Sequence, residues 1–600
     1  MPRTRAGIAR VLLDSEPFAA GLAEIAGRTG SPPAEARRRA RAALLEMVCV
    51  QVPAFGYLLD RGVGALYRRA WSFDVDWPAL DRLKREHPGT SLVFLPTHRS
   101  YADAFVLMRV LVSGRMPPAY VLGGDNLRFF PLGAIGRRAG VIFIRRSFKD
   151  DDIYRLALRH YMRHLVVSGA SLEWYMEGGR SRTGKLRAPR YGLLHYLVEA
   201  LENAPGRDVM LVPVSITYEQ LQDIGAMAVE EGGAAKPREG LGWLAGYLRN
   251  QGRRLGQAYV RFGTPLSLRE TRLSPGGGSG PWALDKVAFE VFQRINRATP
   301  VTAPALVTLT LLGIDDRALT LQDVFRAVQP LLDYAEARDL PAASLRDLRD
   351  PAGIGRVIDD LVRAGVVDRP GAGATATFRI RPGQHAVAAY YRNSAIHWFV
   401  NRAILELGIM VASRAGAGDA LARGLGAARA WRDLLKFEFF FSDKGLFEEE
   451  IASEARLLEP DIGLLASGRT LPRSLLERAP FLVAHRVLPA FLEAYFVVAD
   501  CLAAQPVDAP LDRKAFLEAC LAAGRRLLAE KRLRHPEAVG RELLANGLAL
   551  AANRGLLDPG DASLAERRRG FAAETAEAVA ALADIEALDA RRQAVGREAM

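Results

Sequence analysis

The apolar run "SLVFL" is followed by "PTHRSYAD" (96–103), which sets a histidine, an arginine, three hydroxyl side chains and a carboxylate at the mouth of a candidate strand. His98 and Asp103 stand five positions apart. Imidazole is the side chain best matched to proton transfer near neutral pH. A carboxylate on its second ring nitrogen fixes the tautomer and steadies the imidazolium that forms, as in a triad whose serine is replaced by a substrate hydroxyl. Such a base contributes about 10²–10⁴ in rate. Taken alone, the same spacing also describes a helix cap beside a surface histidine.

Three further stretches bear on the choice. "GVIFIRRSF" (140–148) ends a β-like run on Arg145 and Arg146, whose guanidinium forks suit phosphate oxygens. "EWYMEGGRSRTGK" (173–185) places Glu177, Gly178 and Gly179 before Arg180, Ser181 and Arg182. Glycines let backbone N–H groups approach an anion closely, and the arginines and serine add charged and neutral donors. An ordinary basic turn would read the same way. The segment "GRSRTGK" also fits G-x-x-x-x-G-K, but a nucleotide-binding loop needs Ser or Thr next, and Leu186 stands there. The fourth stretch, "LVPVSITYE" (211–219), reads as a central strand with Pro213 at an irregular point.

The elements that must hold these groups follow from periodicity. Short β-rich runs occur at "SLVFLP", "PAYVLGG", "VIFIRR", "ASLEWYME", "VMLVPVSITY" and "QAYVRFG", with helical patterns at 101–113, 150–168 and 190–202 between several of them. This alternation predicts an α/β domain with strands buried on both faces over 86–272. Residues 1–85 read as helical, and their basic cluster "ARRRARAALL" is either a solvated face or a contact for an anionic membrane. "SPGGGSGP" (274–281) lies in a linker-and-helix stretch, 273–300. Residues 301–600 read as a mostly helical domain, with a core stripe from Ala484 to Tyr495 broken at Pro489.

Lys and Arg number 81 against 68 Asp and Glu, a net charge of +13, which suits an anionic partner. Three cysteines, Cys49, Cys501 and Cys520, are too few and scattered for a disulfide framework or a zinc site. No uninterrupted apolar run is long enough to span a bilayer; the best, 301–314, is too short. Any membrane association is therefore expected to be peripheral. The arginine clusters lack aromatic interleaving, which argues against nucleic acid as a partner.

In this order the four blocks resemble those of the glycerolipid acyltransferases, most closely the large bacterial type of glycerol-3-phosphate acyltransferase and its dihydroxyacetone-phosphate relative. "HRSYAD" matches the H-x4-D block, "GVIFIRR" the second, "EGGRSRTGK" the third and "LVPVSITYE" the fourth. "GGDNLRFFPLGAIGRRAG", "QAYVRFGTPLSL" and "AYYRNSAIHWFV" (389–400) also look familial. The match is strong over about 86–270 and loose over about 380–500. Met176, Val141 and Ile142 depart from the usual residues at packing positions. "HRSY" resembles the dihydroxyacetone-phosphate enzymes, whereas the longer "EGGRSRTGK" favours the glycerol-3-phosphate ones.

The resemblance implies an α/β acyltransferase core, a mixed sheet flanked by helices, with an N-terminal helical region and a mostly helical C-terminal domain. It implies His98 as general base and Asp103 as its orienting partner. Arg146 with Arg145 would bind the phosphate of glycerol 3-phosphate; Glu177, Gly178, Gly179, Arg180, Ser181 and Arg182 would hold the same acceptor; Pro213 would shape the acyl side. The expected reaction moves a fatty acyl group from acyl-CoA or acyl carrier protein to the sn-1 hydroxyl, giving lysophosphatidate at the cytoplasmic face of the membrane. No cofactor or metal is expected, since the thioester is already activated. Acceptor alternatives are dihydroxyacetone phosphate and a lysophospholipid; a non-catalytic lipid-binding module is the alternative of another class.

Overall fold

Taken from a computed structural model, the fold is described for residues 4–125, 132–145, 147–148, 150–204, 206–234, 242, 246, 254–273, 282–313, 317–414, 420–461 and 473–598. The chain divides into two compact units. One comprises Met1–Ser181, Leu186–Gln222 and Pro237–Thr299; the other comprises Arg182–Lys185, Asp223–Lys236 and Pro300–Met600.

The first unit is built on an eight-stranded mixed sheet of β1 (Ser72–Val75), β2 (Ser91–Pro96), β3 (Ala119–Gly124), β4 (Val141–Ile144), β5 (Ser171–Glu173), β6 (Val209–Tyr218), β7 (Gln257–Phe262) and β8 (Leu266–Ser267). Their order is β1-β7-β6-β2-β5-β3-β4, with β8 pairing β6. β2 to β6 run parallel to one another, whereas β7 and β8 run antiparallel to β6. β2 and β6 are buried along their whole length, which is why they read as continuous apolar runs. β1 falls inside the stretch that reads as helical. Its four residues are too few to show a period, and pairing with β7 decides their conformation.

Pro213 sits where β6 changes partner. Met210 and Leu211 pair with β8, and Val214 to Tyr218 pair with β7. On that side the Pro213 carbonyl accepts the Gly263 amide at 2.9 Å; the missing N–H interrupts no registered pairing there. The irregular point read from the sequence is this seam.

Helices flank the sheet. Asp103–Ser113 leads from β2 towards β3, and Asp152–Val167, capped by the Asp151 carboxylate on the Tyr154 amide, packs against Gly192–Glu202 and Pro33–Met47. The basic cluster lies on Pro33–Met47, with Ala36, Ala40, Ala43, Leu44 and Met47 buried and Arg37, Arg38, Arg39 and Arg41 exposed. Its apolar stripe is already used within the protein, so the outward face is a charged one.

The second unit is mostly helical, with a small antiparallel sheet of Leu319–Thr320, Thr377–Ile380 and Val367–Asp368. Its core helix, Pro489–Ala503, packs against Arg541–Asn553 and the 37-residue helix Ala562–Glu598. Pro489 starts that helix at its first turn, where its missing N–H is harmless. Residues 274–281 lie outside the described residues. Among the described residues no single helix is long and apolar enough to cross a membrane. His385–Trp398 and Val400–Arg414 reach the length only as a pair bent by 75°, and most of their residues are buried.

Candidate active site

β2 lies between β6 and β5, so the residues that follow it emerge at the carboxyl ends of three parallel strands. Open α/β sheets commonly bind ligands at such a place. Thr97 continues the pairing after β2 ends: its hydroxyl donates to the Ile216 carbonyl and accepts the Ile216 amide, both at 2.9 Å. The turn then folds back onto Asp103, the first residue of its helix. Asp103 Oδ2 accepts the Arg99 amide at 2.6 Å, the Ser100 amide at 2.9 Å and His98 Nδ1 at 3.0 Å. Oδ1 accepts the Tyr218 hydroxyl at 2.7 Å. Asp103 is fully buried, while the His98 side chain is 21% exposed. The imidazole is thus oriented from behind, and Nε2 makes no hydrogen bond among the described residues.

Tyr218 carries no motif signature of its own; a hydroxyl closing an apolar strand is the sequence signal for it. Tyr218→Phe removes one of the four bonds to Asp103 and leaves the other three. We expect turnover to fall about five- to tenfold, the worth of one buried hydrogen bond of about 1 kcal/mol, measured as kcat with the fold checked by melting temperature.

Behind the imidazole lies a second carboxyl. The Tyr175 ring packs on His98 with centroids 4.1 Å apart, and its hydroxyl donates to Glu173 Oε1 at 3.0 Å. Burial pushes the Glu173 carboxyl up to about 8; the Tyr175 hydrogen bond opposes the shift and the Asp103 charge adds to it. Glu173 is therefore largely protonated at neutral pH, and Asp103 is spared a like-charged neighbour. An acid inside the apolar run "SLEW" is the sequence signal for it.

The glycine–arginine loop follows β5. Glu177, expected to touch the acceptor, ties two stretches of backbone together. It is buried, Oε1 accepts the His98 amide at 2.7 Å and Oε2 accepts the Arg187 amide at 3.1 Å. Burial raises its carboxyl to about 7, against the pull of Arg99 and the two amides. The Ser181 amide donates to the His98 carbonyl at 2.8 Å, so loop and histidine turn are tied at both backbone groups of His98. Gly178 has φ +66°, and a Cβ there would stand 2.7 Å from Arg190 Cγ. Arg180 stacks on Tyr101, 3.9 Å from the ring centroid, and donates to its hydroxyl at 3.2 Å. Tyr101 belongs to the His98–Asp103 turn, so a guanidinium is braced on the turn that carries the imidazole. Arg187 and Arg190 also approach this loop: a Cβ on Gly179 would lie 3.0 Å from Arg187 Nη1.

Of the other residues expected at the site, the described ones have partners within the protein. Arg145 forms a fork with Glu46, Nε to Oε1 at 3.2 Å and Nη2 to Oε2 at 2.7 Å, and reaches Asp151 Oδ2 at 3.1 Å. Two carboxylates engage it, so its charge is already matched within the protein. Arg146 lies outside the described residues. Arg182 belongs to the second unit, where Nε and Nη2 donate to Glu230 Oε2 at 3.1 and 3.0 Å. Pro213 serves the strand seam. Arg145→Gln is expected to cost about 1 kcal/mol of stability, as for a partly exposed ion pair. The KM for a phosphorylated acceptor should stay unchanged, and a raised KM would return Arg145 to the binding site.

A mixed sheet carrying a carboxylate-backed imidazole and an arginine loop at its strand ends fits one class of enzyme, and residues 79–217 match the family described as "Acyltransferase". The protein is an acyltransferase. Residues 227–560 match the family described as "Glycerol-3-phosphate acyltransferase C-terminal region". Chains from Mycobacterium bovis and two strains of Mycobacterium tuberculosis, provisionally named acyltransferase plsB1, are 40% identical over 591 residues, covering 97% of this chain and 94% of theirs. This chain belongs to the glycerol-3-phosphate acyltransferase family. The crystal structure of the 1-acyl-sn-glycerophosphate (LPA) acyltransferase PlsC from Thermotoga maritima is 14% identical, covering 48% of this chain and 97% of that one, with a TM-score of 0.24.

Proposed function

We propose that this enzyme transfers a fatty acyl group from acyl-CoA or acyl carrier protein to the sn-1 hydroxyl of glycerol 3-phosphate, releasing lysophosphatidate. The observation that carries the reading is the carboxylate-backed His98 with Arg180 braced on the same turn. In this mechanism His98 Nε2 takes the proton of the acceptor hydroxyl as its oxygen attacks the thioester carbonyl. The C–O bond forms, the C–S bond breaks, and the imidazolium returns the proton to the departing thiolate. Asp103 stabilises the imidazolium in between. Arg180 and the amides around Gly178 and Gly179 hold the acceptor phosphate, fixing the distance from phosphate to hydroxyl; positioning of this kind supplies up to about 7–11 kcal/mol.

The test is thiol release from acyl-CoA with glycerol 3-phosphate, dihydroxyacetone phosphate and a lysophospholipid offered in turn. Glycerol 3-phosphate should give the highest kcat/KM. Release no faster than hydrolysis with that acceptor rejects the assignment.

Work at the cytoplasmic membrane face, as a peripheral protein, belongs to the same proposal. The acyl chain and product partition into bilayers, and the chain carries a net charge of +13. Flotation with anionic but not neutral vesicles, weakened by salt, is the expected result.

A further inference from the structure

Directly after Ser181 the chain enters the second unit for four residues, Arg182–Lys185, and returns to the first at Leu186. Each of the four is anchored. Arg182 pairs with Glu230. The Thr183 hydroxyl donates to Glu542 Oε1 at 3.1 Å, and its carbonyl accepts Asn393 Nδ2 at 2.8 Å. Gly184 has φ +85°, and a Cβ there would stand 2.1 Å from the Tyr390 carbonyl oxygen. The Lys185 side chain is 5% exposed and ion-paired with the fully buried Glu438. Its Nζ also donates to the Glu438 carbonyl at 3.2 Å and lies 5.3 and 4.8 Å from the ring centroids of Phe439 and Phe491.

A buried ion pair is a poor source of net stability, because desolvation of both charges offsets most of their attraction. Four anchors in four residues call for another reason, and the flanking residues supply it. Ser181, immediately before, bonds the His98 carbonyl, and Arg187, two residues after Lys185, bonds Glu177. Tyr390 and Asn393 come from "YYRNS", a motif that no step of the transfer reaction uses.

We propose that Arg182–Lys185 is a strap whose seating on Glu438, Asn393 and Glu542 holds residues 177–181, and Arg180 with them, in the conformation that binds the acceptor phosphate. Lys185 and Glu438 are then positioning residues for the reading given above, on which this inference rests. They act along the chain and touch no substrate. When the strap is unseated the loop samples its competent form only part of the time, and apparent acceptor affinity drops by that fraction.

Two variants of the full chain attack the seat differently. Lys185→Met removes the charge at similar length; Gly184→Ala forces a side chain against the Tyr390 carbonyl and touches no charge. Hydrogen exchange, run without substrate, should show the amides of residues 178–181 exchanging about tenfold faster, with β2 and β6 unchanged. In turnover assays the KM for glycerol 3-phosphate should rise about tenfold, with the acyl-CoA KM held within about twofold. Should either variant fail to fold, Glu438→Gln keeps the Lys185 bond to the residue 438 carbonyl and should give the same pattern at smaller size. Unchanged loop exchange beside a lowered melting temperature overturns the strap, as does a parallel rise of both KM values. Because exchange needs no acceptor, it decides the strap even if wild-type turnover with glycerol 3-phosphate fails, a result that would count against the acceptor assignment alone.

Discussion

His98→Ala will lower kcat about 10²–10⁴-fold, the range a positioned general base contributes, while the protein stays folded. Both backbone groups of His98 are held by partners that ignore the imidazole: the Glu177 carboxylate takes the amide and the Ser181 amide meets the carbonyl. Deleting the ring therefore leaves the turn and the arginine loop tied together. The ring is partly exposed, so its removal opens no sealed cavity. Acceptor KM should change little, because the phosphate is assigned to Arg180 and the loop amides. The measurement is thiol release under saturating acceptor, with melting temperature beside it. A folded variant retaining more than about a tenth of wild-type kcat would remove His98 from the chemistry.

Asp103→Asn comes next in size, with an expected fall in kcat of about 10²–10³-fold. The two amides of Arg99 and Ser100 both point at Oδ2, so the asparagine must present its carbonyl oxygen there and its NH2 group towards Tyr218. The Tyr218 hydroxyl can turn to accept it. In that arrangement His98 keeps its hydrogen bond and its orientation and loses only the charge behind it. A unit charge a few ångströms from the developing imidazolium is worth about 3–4 kcal/mol at an effective dielectric near 20, which sets the expected loss. Asp103→Ala differs in kind. It leaves several buried donors without an acceptor, at about 1–3 kcal/mol each, and is expected to lower stability as well as rate. If Asp103→Asn keeps full kcat, the carboxylate is a cap and nothing more.

Both predictions concern residues that the sequence exposed by type and spacing. The same is true of the strands, whose runs "SLVFLP", "VIFIRR" and "VMLVPVSITY" became β2, β4 and β6 because apolar continuity is a local property that burial on two faces demands. The fold class, the H-x4-D pair, the glycine–arginine loop and the irregular point at Pro213 could all be read in one dimension. β1 could not, being too short to show a period.

Which charges are spent on the protein itself was a different matter, and tertiary structure decided it. Arg145 finds Glu46 from 99 residues away, Asp103 finds Tyr218 from 115 and Lys185 finds Glu438 from 253. An arginine free to bind phosphate and an arginine locked to a glutamate look alike in sequence, because their difference is the identity of a distant neighbour. Glu177 shows the same limit: a carboxylate beside glycines and arginines reads as a ligand group, yet burial turned it inward onto two backbone amides. Local chemistry chose which groups were present; long-range packing chose which of them were still available to a substrate.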